Sequence, residues 1–282
     1  MASSSPAVPS VGSEFSRWFP KATDRSAPET TGSLLCFHAA GCAEDMFTSE
    51  GTGARRAPSP LLAWCASKRV RVLAAQAPGR GARLREEPCI SAQSMAERVL
   101  DALVDGQALT RPYVVLSHSM GSWVAFELLL LARSRGLPMP QAWFLGAMPA
   151  ADLPVQQRPW RVSDTLNEAD FAAECREWGV NEAVFGDALW PMYQTLMRAD
   201  FNIFDHYVYA AHAERPFDFP VHTYWGTRDR RVGETMIRGW GRFTTAGFSC
   251  TPVDGGHLWP LDKDAKAAWL TSVVERLEGL TF

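Results

Sequence analysis

The sequence is 282 residues long, 46% hydrophobic and 21% charged, with a formal net charge of −3. That length suits one large α/β domain or two small ones, and the composition is ordinary for a globular protein in water. The charge gives no ground for a nucleic-acid or anionic-membrane partner, and without a run of about 18 apolar residues no membrane-spanning helix is expected.

Residues 1–30 read as an N-terminal extension, rich in Ser and Pro. It lacks the charged start and apolar core of a secretion signal, so a cytoplasmic protein is expected. The acid-poor, Ser-rich composition would also suit an organelle such as a plastid in a eukaryotic source. Within this tail Phe15, Trp18 and Phe19 are spaced to anchor one face on something larger.

Residues 34–37 form a short apolar strand that runs into the small-residue turn His38-Ala39-Ala40-Gly41-Cys42-Ala43. A strand followed by such a turn presents bare backbone N–H groups, the material of half an oxyanion hole. Residues 48–60 read as a surface loop, 61–66 as the start of a helix and 70–75 as the next strand. A turn containing Pro78, Gly79 and Arg80 follows, and residues 91–104 have helical periodicity.

Residues 113–116 are another strand. The chain then turns at Ser117-His118-Ser119-Met120-Gly121 and continues as an apolar helix to residue 132. Strand, tight turn with a central serine, then helix is the context of a G-x-S-x-G nucleophile elbow, here with Ser117 in the first glycine position. Residues 141–148 read as a strand. Residues 164–210 are helical and aromatic, with Trp178, Trp190, Phe201 and Phe204 among the rings. An all-helical insert between sheet strands is expected to be a lid, spanning about 152–212. Strands return at 221–225 and 248–253, and 265–277 forms a closing helix.

Short apolar strands alternating with helices argue for a mostly parallel sheet covered on both faces. At the carboxyl edge of such a sheet functional groups gather, and three stand there in the order Ser119, Asp229, His257. A serine hydroxyl needs a base to take its proton, an imidazole titrates near neutrality, and a carboxylate fixes its tautomer. Asp152, just past the preceding strand, is the alternative acid. The amides of Met120 and Ala40 are candidates for the oxyanion hole, a contribution of roughly 3–4 kcal/mol per donor. His118, beside the serine, reads as structural, and His38, His206, His212 and His222 as structural or surface. The six cysteines make no CxxC or Cys/His ligand spacing, so reduced thiols and no metal are expected.

Taken together, these motifs resemble the type II thioesterases that accompany polyketide synthases and nonribosomal peptide synthetases, and the related enzymes that release medium-chain fatty acids. The resemblance runs from about Trp18 to the last helix. Leu34-Leu35-Cys36-Phe37-His38-Ala39-Ala40-Gly41-Cys42 is similar to the family's first strand and oxyanion turn. Gln76-Ala77-Pro78-Gly79-Arg80 with Arg83 matches its P-G-R-x-x-R stretch. Ser117 to Gly121 corresponds to G-H-S-M-G, Arg198-Ala199-Asp200-Phe201 to the R-A-D-[FL] segment, and Gly255-Gly256-His257 to G-G-H. With these the position of Asp229 selects it over Asp152. His38, Cys42 and Ser117 depart from the pattern, and 48–60 looks like an insertion.

The resemblance implies an α/β-hydrolase fold over 31–282. It also implies a cofactor-free, monomeric serine thioesterase acting on acyl or peptidyl carrier proteins through their phosphopantetheine arms, in an editing role. A medium-chain fatty acyl hydrolase or a general carboxylesterase is the alternative enzyme. A carrier-binding pseudo-hydrolase is the alternative without activity. Two arginine groups, Arg80, Arg83 and Arg85 and Arg228, Arg230 and Arg231, are candidates for docking an acidic carrier. Cys42 is expected to be an inert packing thiol.

Overall fold

The computed structural model of the protein describes residues 11–22, 30–52, 56–210 and 216–282. Three of its strands, β1 (Gly32–Phe37), β3 (Tyr113–His118) and β4 (Trp143–Gly146), are buried along their whole length. Near-continuous apolar runs of this kind can be satisfied only in a parallel sheet covered on both faces. With β2 (Val70–Ala74), β5 (Val221–Gly226) and β6 (Phe248–Val253) they form a six-stranded sheet in the order β2-β1-β3-β4-β5-β6. Every pairing is parallel. Pro252 lies on edge strand β6, where a missing N–H is tolerated. This is the α/β-hydrolase arrangement expected from the sequence.

The helices are α1 (Val11–Trp18), α2 (Asp45–Thr48), α3 (Pro60–Lys68), α4 (Ala92–Asp105), α5 (Met120–Ser134), α6 (Glu168–Glu177), α7 (Trp190–Asp205), α8 (Glu234–Arg238) and α9 (Lys263–Leu277). The α5 helix is buried almost on all sides, as its unbroken apolar sequence requires. The register of the sheet sets the site. His118 pairs with Gly146, Gly146 with Tyr224, and Gly226 with Val253. The segments that leave β3, β5 and β6 therefore start from one edge.

The anchor expected at Phe15, Trp18 and Phe19 is present: all three belong to the main core. The Trp18 carbonyl accepts the Gln76 amide at 2.7 Å, and the Arg83 guanidinium lies 4.3 Å over the Trp18 ring. The tail expected before it, residues 1–10, and His212 lie outside the described residues. Helices α6 and α7 fall between β4 and β5, where the helical insert was expected. The strand expected over 141–148 is shorter, at Trp143–Gly146.

Two stability predictions follow from this packing. Trp18→Ala removes a fully buried ring and its cation–π partner, so unfolding free energy in a denaturant titration should fall by about 3–5 kcal/mol. Asp205, at the end of α7, is buried with Oδ2 accepting the Ser163 amide at 2.7 Å, while Oδ1 has no partner among the described residues. Burial lifts its pKa from 3.8 to about 6. Between those values the folded state holds a proton that the unfolded chain has released, so this carboxyl makes stability fall as pH rises through the window. Asp205→Asn should remove that slope and raise stability at pH 8 by roughly 1–3 kcal/mol, read from urea melts at pH 5 and pH 8.

Candidate active site

Ser119 closes β3 and opens α5 with φ 52° and ψ −132°. This conformation is sparsely populated for a residue with a Cβ, and it persists only where the surroundings over-determine it. Here two features do so. The Ser119 amide donates to the Gly146 carbonyl at 2.8 Å, continuing the sheet ladder past the last strand residue. Gly121 lets α5 touch the end of β1: a Cβ there would lie 2.6 Å from the Phe37 and His38 carbonyl oxygens. The second glycine position of the elbow thus carries the close approach. At the first, the Ser117 hydroxyl lies 3.1 Å from Ser122 Oγ and accepts from Trp143 Nε1 at 2.9 Å. The departure from glycine is absorbed by two hydrogen bonds in the interior.

The three expected side chains meet. Ser119 Oγ lies 2.7 Å from His257 Nε2, and His257 Nδ1 lies 2.8 Å from Asp229 Oδ2. Asp229 Oδ1 accepts the Arg231 and Val232 amides at 2.8 and 3.0 Å. Burial pushes the Asp229 carboxyl up, but His257 and those two amides outweigh it and hold it below its usual value. An ionised Asp229 makes Nδ1 the protonated ring nitrogen of His257, leaving the Nε2 lone pair for the serine proton. Asp152 is elsewhere, held by Arg242 Nη2 at 2.7 Å.

His118 does more than fill space. Its Nε2 lies 2.8 Å from the His257 carbonyl oxygen, and its ring meets Trp259 edge-on at 4.5 Å. A carbonyl only accepts, so Nε2 carries the proton. Burial and then His257 lower the His118 pKa to about 3, which keeps the ring neutral at working pH. The sequence offered no sign of this role, because the partner is a backbone atom 139 positions away.

Met120 is the first residue of α5, so its amide is a helix N-terminal donor with no acceptor in its own helix. Ala40 lines the cavity over Ser119 together with His257, Trp178, Phe201 and Phe204. That cavity measures about 10 Å³, room for roughly one water. Trp178 stands edge-on to the His257 ring at 4.6 Å, so the α6–α7 segment closes directly over Ser119 and His257. A larger cavity of about 680 Å³ lies on the other side of the Gly41–Cys42 turn, lined among others by Glu50, Tyr193 and Lys266.

Two buried carboxylates of that segment reach the loops beneath it. Asp200 on α7 accepts from the Gly41 amide at 2.7 Å and pairs with Arg80. Glu174 on α6 pairs with Arg231 at 2.7 Å and accepts from Trp178 Nε1 at 3.2 Å. Arg80 and Arg83 are therefore interior groups, engaged by Asp200 and Glu86, and Arg231 is half-buried against Glu174. This corrects the expectation that one of the arginine groups, taken whole, faces a docking partner. Arg85, Arg228 and Arg230 are exposed, the last two paired with Asp254 and Glu177. Burial, with Asp200 next, pushes the Cys42 thiol to about 12, so at neutral pH it is not a thiolate. Among the described residues no cluster of three or more His, Cys, Asp or Glu has the form of a metal site.

The His118 contact gives a direct test. His118→Ala strands a buried carbonyl and frees the His257 loop, so kcat on a p-nitrophenyl acyl ester should fall about 10²-fold. His118→Asn keeps an N–H donor and should recover most of that loss.

With this geometry in place, comparison with known proteins is informative. Residues 33–280 match the family model described as a thioesterase domain. The chain is 28% identical over 203 residues to the thioesterase PikA5 of Streptomyces venezuelae, covering 69% of this chain and 67% of that one. Human medium-chain S-acyl fatty acid synthase thioesterase is 25% identical over 240 residues, 83% of each chain. The structure of BorB, the type II thioesterase of the borrelidin biosynthetic cluster, superposes with a TM-score of 0.73 at 27% identity, over 93% of this chain and 98% of that one. The chain belongs to the thioesterase family of serine hydrolases, and type II thioesterases of polyketide and nonribosomal peptide clusters are among its relatives.

Proposed function

We propose that this protein hydrolyses acyl thioesters carried on the phosphopantetheine arm of an acyl or peptidyl carrier protein, removing stalled or wrong acyl groups from a synthase. The observation that carries the reading is the continuous Ser119–His257–Asp229 hydrogen-bonded chain under a helical roof. Ser119 Oγ attacks the thioester carbon as its proton moves to His257 Nε2. The carbonyl oxygen gains the negative charge and is received by the Ala40 and Met120 amides. Collapse breaks the C–S bond, and the thiolate leaves as a thiol with the proton from His257. Water then enters, gives its proton to His257, attacks the acyl-enzyme and releases the acid, restoring Ser119. The sequence of steps calls for no metal or cofactor.

The roof segment acts as a lid in this reading. An acyl chain does not fit a space of about 10 Å³, so Trp178, Phe201 or Phe204 must move aside when substrate enters. Arg85, Arg228 and Arg230 are the members of the two basic groups left to meet an acidic carrier. The human relative supports a second reading, release of medium-chain fatty acids, which uses the same chemistry on a different acyl group.

Ser119→Ala should lower kcat/KM on an acyl-carrier thioester by about 10⁴–10⁶-fold while leaving the melting curve near wild type. Full activity in that variant would end the reading. Rates on acyl-carrier, acyl-CoA and p-nitrophenyl esters of matched chain length separate the substrate classes. A carrier preference with short or branched acyl groups supports editing, a medium-chain optimum supports fatty acid release, and an oxygen-ester preference supports a general esterase.

A further inference from the structure

The turn that carries Ala40 is held from outside the sheet. The Cys42 amide donates to the Ala39 carbonyl at 3.1 Å, closing a four-residue turn with Ala40 and Gly41 at its centre. Gly41 has φ +71°, the left-handed value that the second central position of a type II turn requires. Both polar groups of Gly41 are then engaged by α7. Its N–H donates to Asp200 Oδ2 at 2.7 Å, and its carbonyl accepts from the Tyr193 hydroxyl at 3.1 Å. A Cβ on Gly41 would lie 2.5 Å from that hydroxyl, so α7 sits directly against the turn.

Asp200 is itself fixed. It is 1% exposed, and Arg80 grips both of its oxygens, Nη2 to Oδ1 at 2.5 Å and Nη1 to Oδ2 at 2.8 Å. The same Arg80 Nη1 donates to the Cys42 carbonyl at 2.7 Å. One buried ion pair therefore touches the Ala40–Gly41 peptide through its carboxylate and the Cys42–Ala43 peptide through its guanidinium. A buried pair is a poor source of net stability, because desolvation offsets most of the attraction. Its better-attested use is to specify one arrangement, and here the arrangement specified is that of the turn above Ser119.

We propose that Arg80 and Asp200 are positioning residues for the oxyanion hole: they clamp the Ala40–Gly41 and Cys42–Ala43 peptides so that the Ala40 amide faces the transition-state oxygen only while α7 is seated. The inference rests on Ser119 acyl transfer as described above. It makes the lid helix part of the catalytic constellation, because lifting α7 withdraws Asp200 and Tyr193 from Gly41 at once. The hole is complete when the lid is down over bound substrate.

The test separates transition-state from ground-state binding. Asp200→Asn, Arg80→Lys and Tyr193→Phe are compared with wild type in three measurements: kcat and KM on an acyl-pantetheine thioester, Ki for a trifluoromethyl ketone that forms a tetrahedral adduct on Ser119, and Kd for a non-hydrolysable acyl-pantetheine thioether. Expected are a 10–100-fold fall in kcat and a matching 10–100-fold rise in Ki for Asp200→Asn and Arg80→Lys. Tyr193→Phe should give about 3–10-fold in both, with thioether Kd within about 3-fold of wild type throughout. Folded variants with unchanged Ki overturn the proposal, as does a loss that appears equally in thioether Kd. If Asp200→Asn does not fold, Tyr193→Phe and Arg80→Lys carry the same comparison. Ser119→Ala, run alongside, separates the outcomes: retained hydrolysis there sinks the functional reading, whereas its loss with unaffected clamp variants sinks only the clamp.

Discussion

The backbone of Ser119 is the constraint on which the rest of the molecule turns. A non-glycine residue at φ 52°, ψ −132° stores strain of the order of 1–3 kcal/mol, and the structure offsets it by burying everything around it. β3 is enclosed on both faces, α5 is apolar around its circumference, and Gly121 brings that helix onto the carbonyls of Phe37 and His38. The consequence is functional. The hydroxyl is lifted clear of the sheet edge, with the Met120 amide beside it and the turn from β1 pressed close. Relaxing the strain would require parting α5 from β1, which the packing of the core opposes.

The same economy explains how the loops at that edge are held. Loops are normally the mobile part of an α/β fold, yet each loop at this edge that bears His257, Asp229 or the Gly41 turn is tied from a second direction. His257 is tied through its carbonyl by His118. The Asp229 loop is tied by Arg231, which reaches Glu174 on α6. The Gly41 turn is tied by Asp200 on α7. Two of the three ties therefore come from the helical insert. A buried carboxylate needs compensating charge: Arg80 supplies it to Asp200 from the layer beneath, and Glu174 takes it from Arg231 beneath and from Arg161 within the insert. The insert is anchored by ionic contacts at defined points, and between them it rests on aromatic rings.

Much of this was legible in the sequence because an α/β-hydrolase fold sets a serine, an acid and a histidine at strand ends in that chain order. Ser119, Asp229 and His257 could be picked out because each follows a short apolar strand and together they stand in the Ser, Asp, His order of the α/β-hydrolase fold. The parallel sheet followed from strands too apolar to face water, and the Phe15–Phe19 anchor from its spacing. What the sequence hid was the direction of charged side chains. Arg80 and Arg83 lie in a turn rich in Gly and Pro, Arg231 in a run of arginines, and all read as surface groups. Their orientation is decided by Asp200, Glu86 and Glu174: Asp200 and Glu174 are distant in the chain and sit on helices whose polar positions look alike, while Glu86 lies three residues from Arg83 in the same turn. His118 was hidden for a related reason, since a side chain that bonds to a backbone atom leaves no partner residue type to find.

The departures from the family pattern bear on where tolerance lies. Ser117 is accepted because its hydroxyl meets Ser122 and Trp143, and a buried hydroxyl so bonded loses little relative to water. Cys42 is accepted because the left-handed position of the turn falls on Gly41, one residue earlier. His38 is accepted as a neutral ring: burial and the nearby Arg80 lower its pKa to about 4, so no second cation competes for Asp200. In each case the substituted side chain leaves untouched the contact that fixes a peptide near Ser119. The positions that cannot vary in this way are Gly41 and Gly121, where a neighbouring element already occupies the space of a Cβ. Geometry at the elbow and the turn is thus held by backbone contact, while the side chains of His38, Cys42 and Ser117 sit beside those contacts without replacing them.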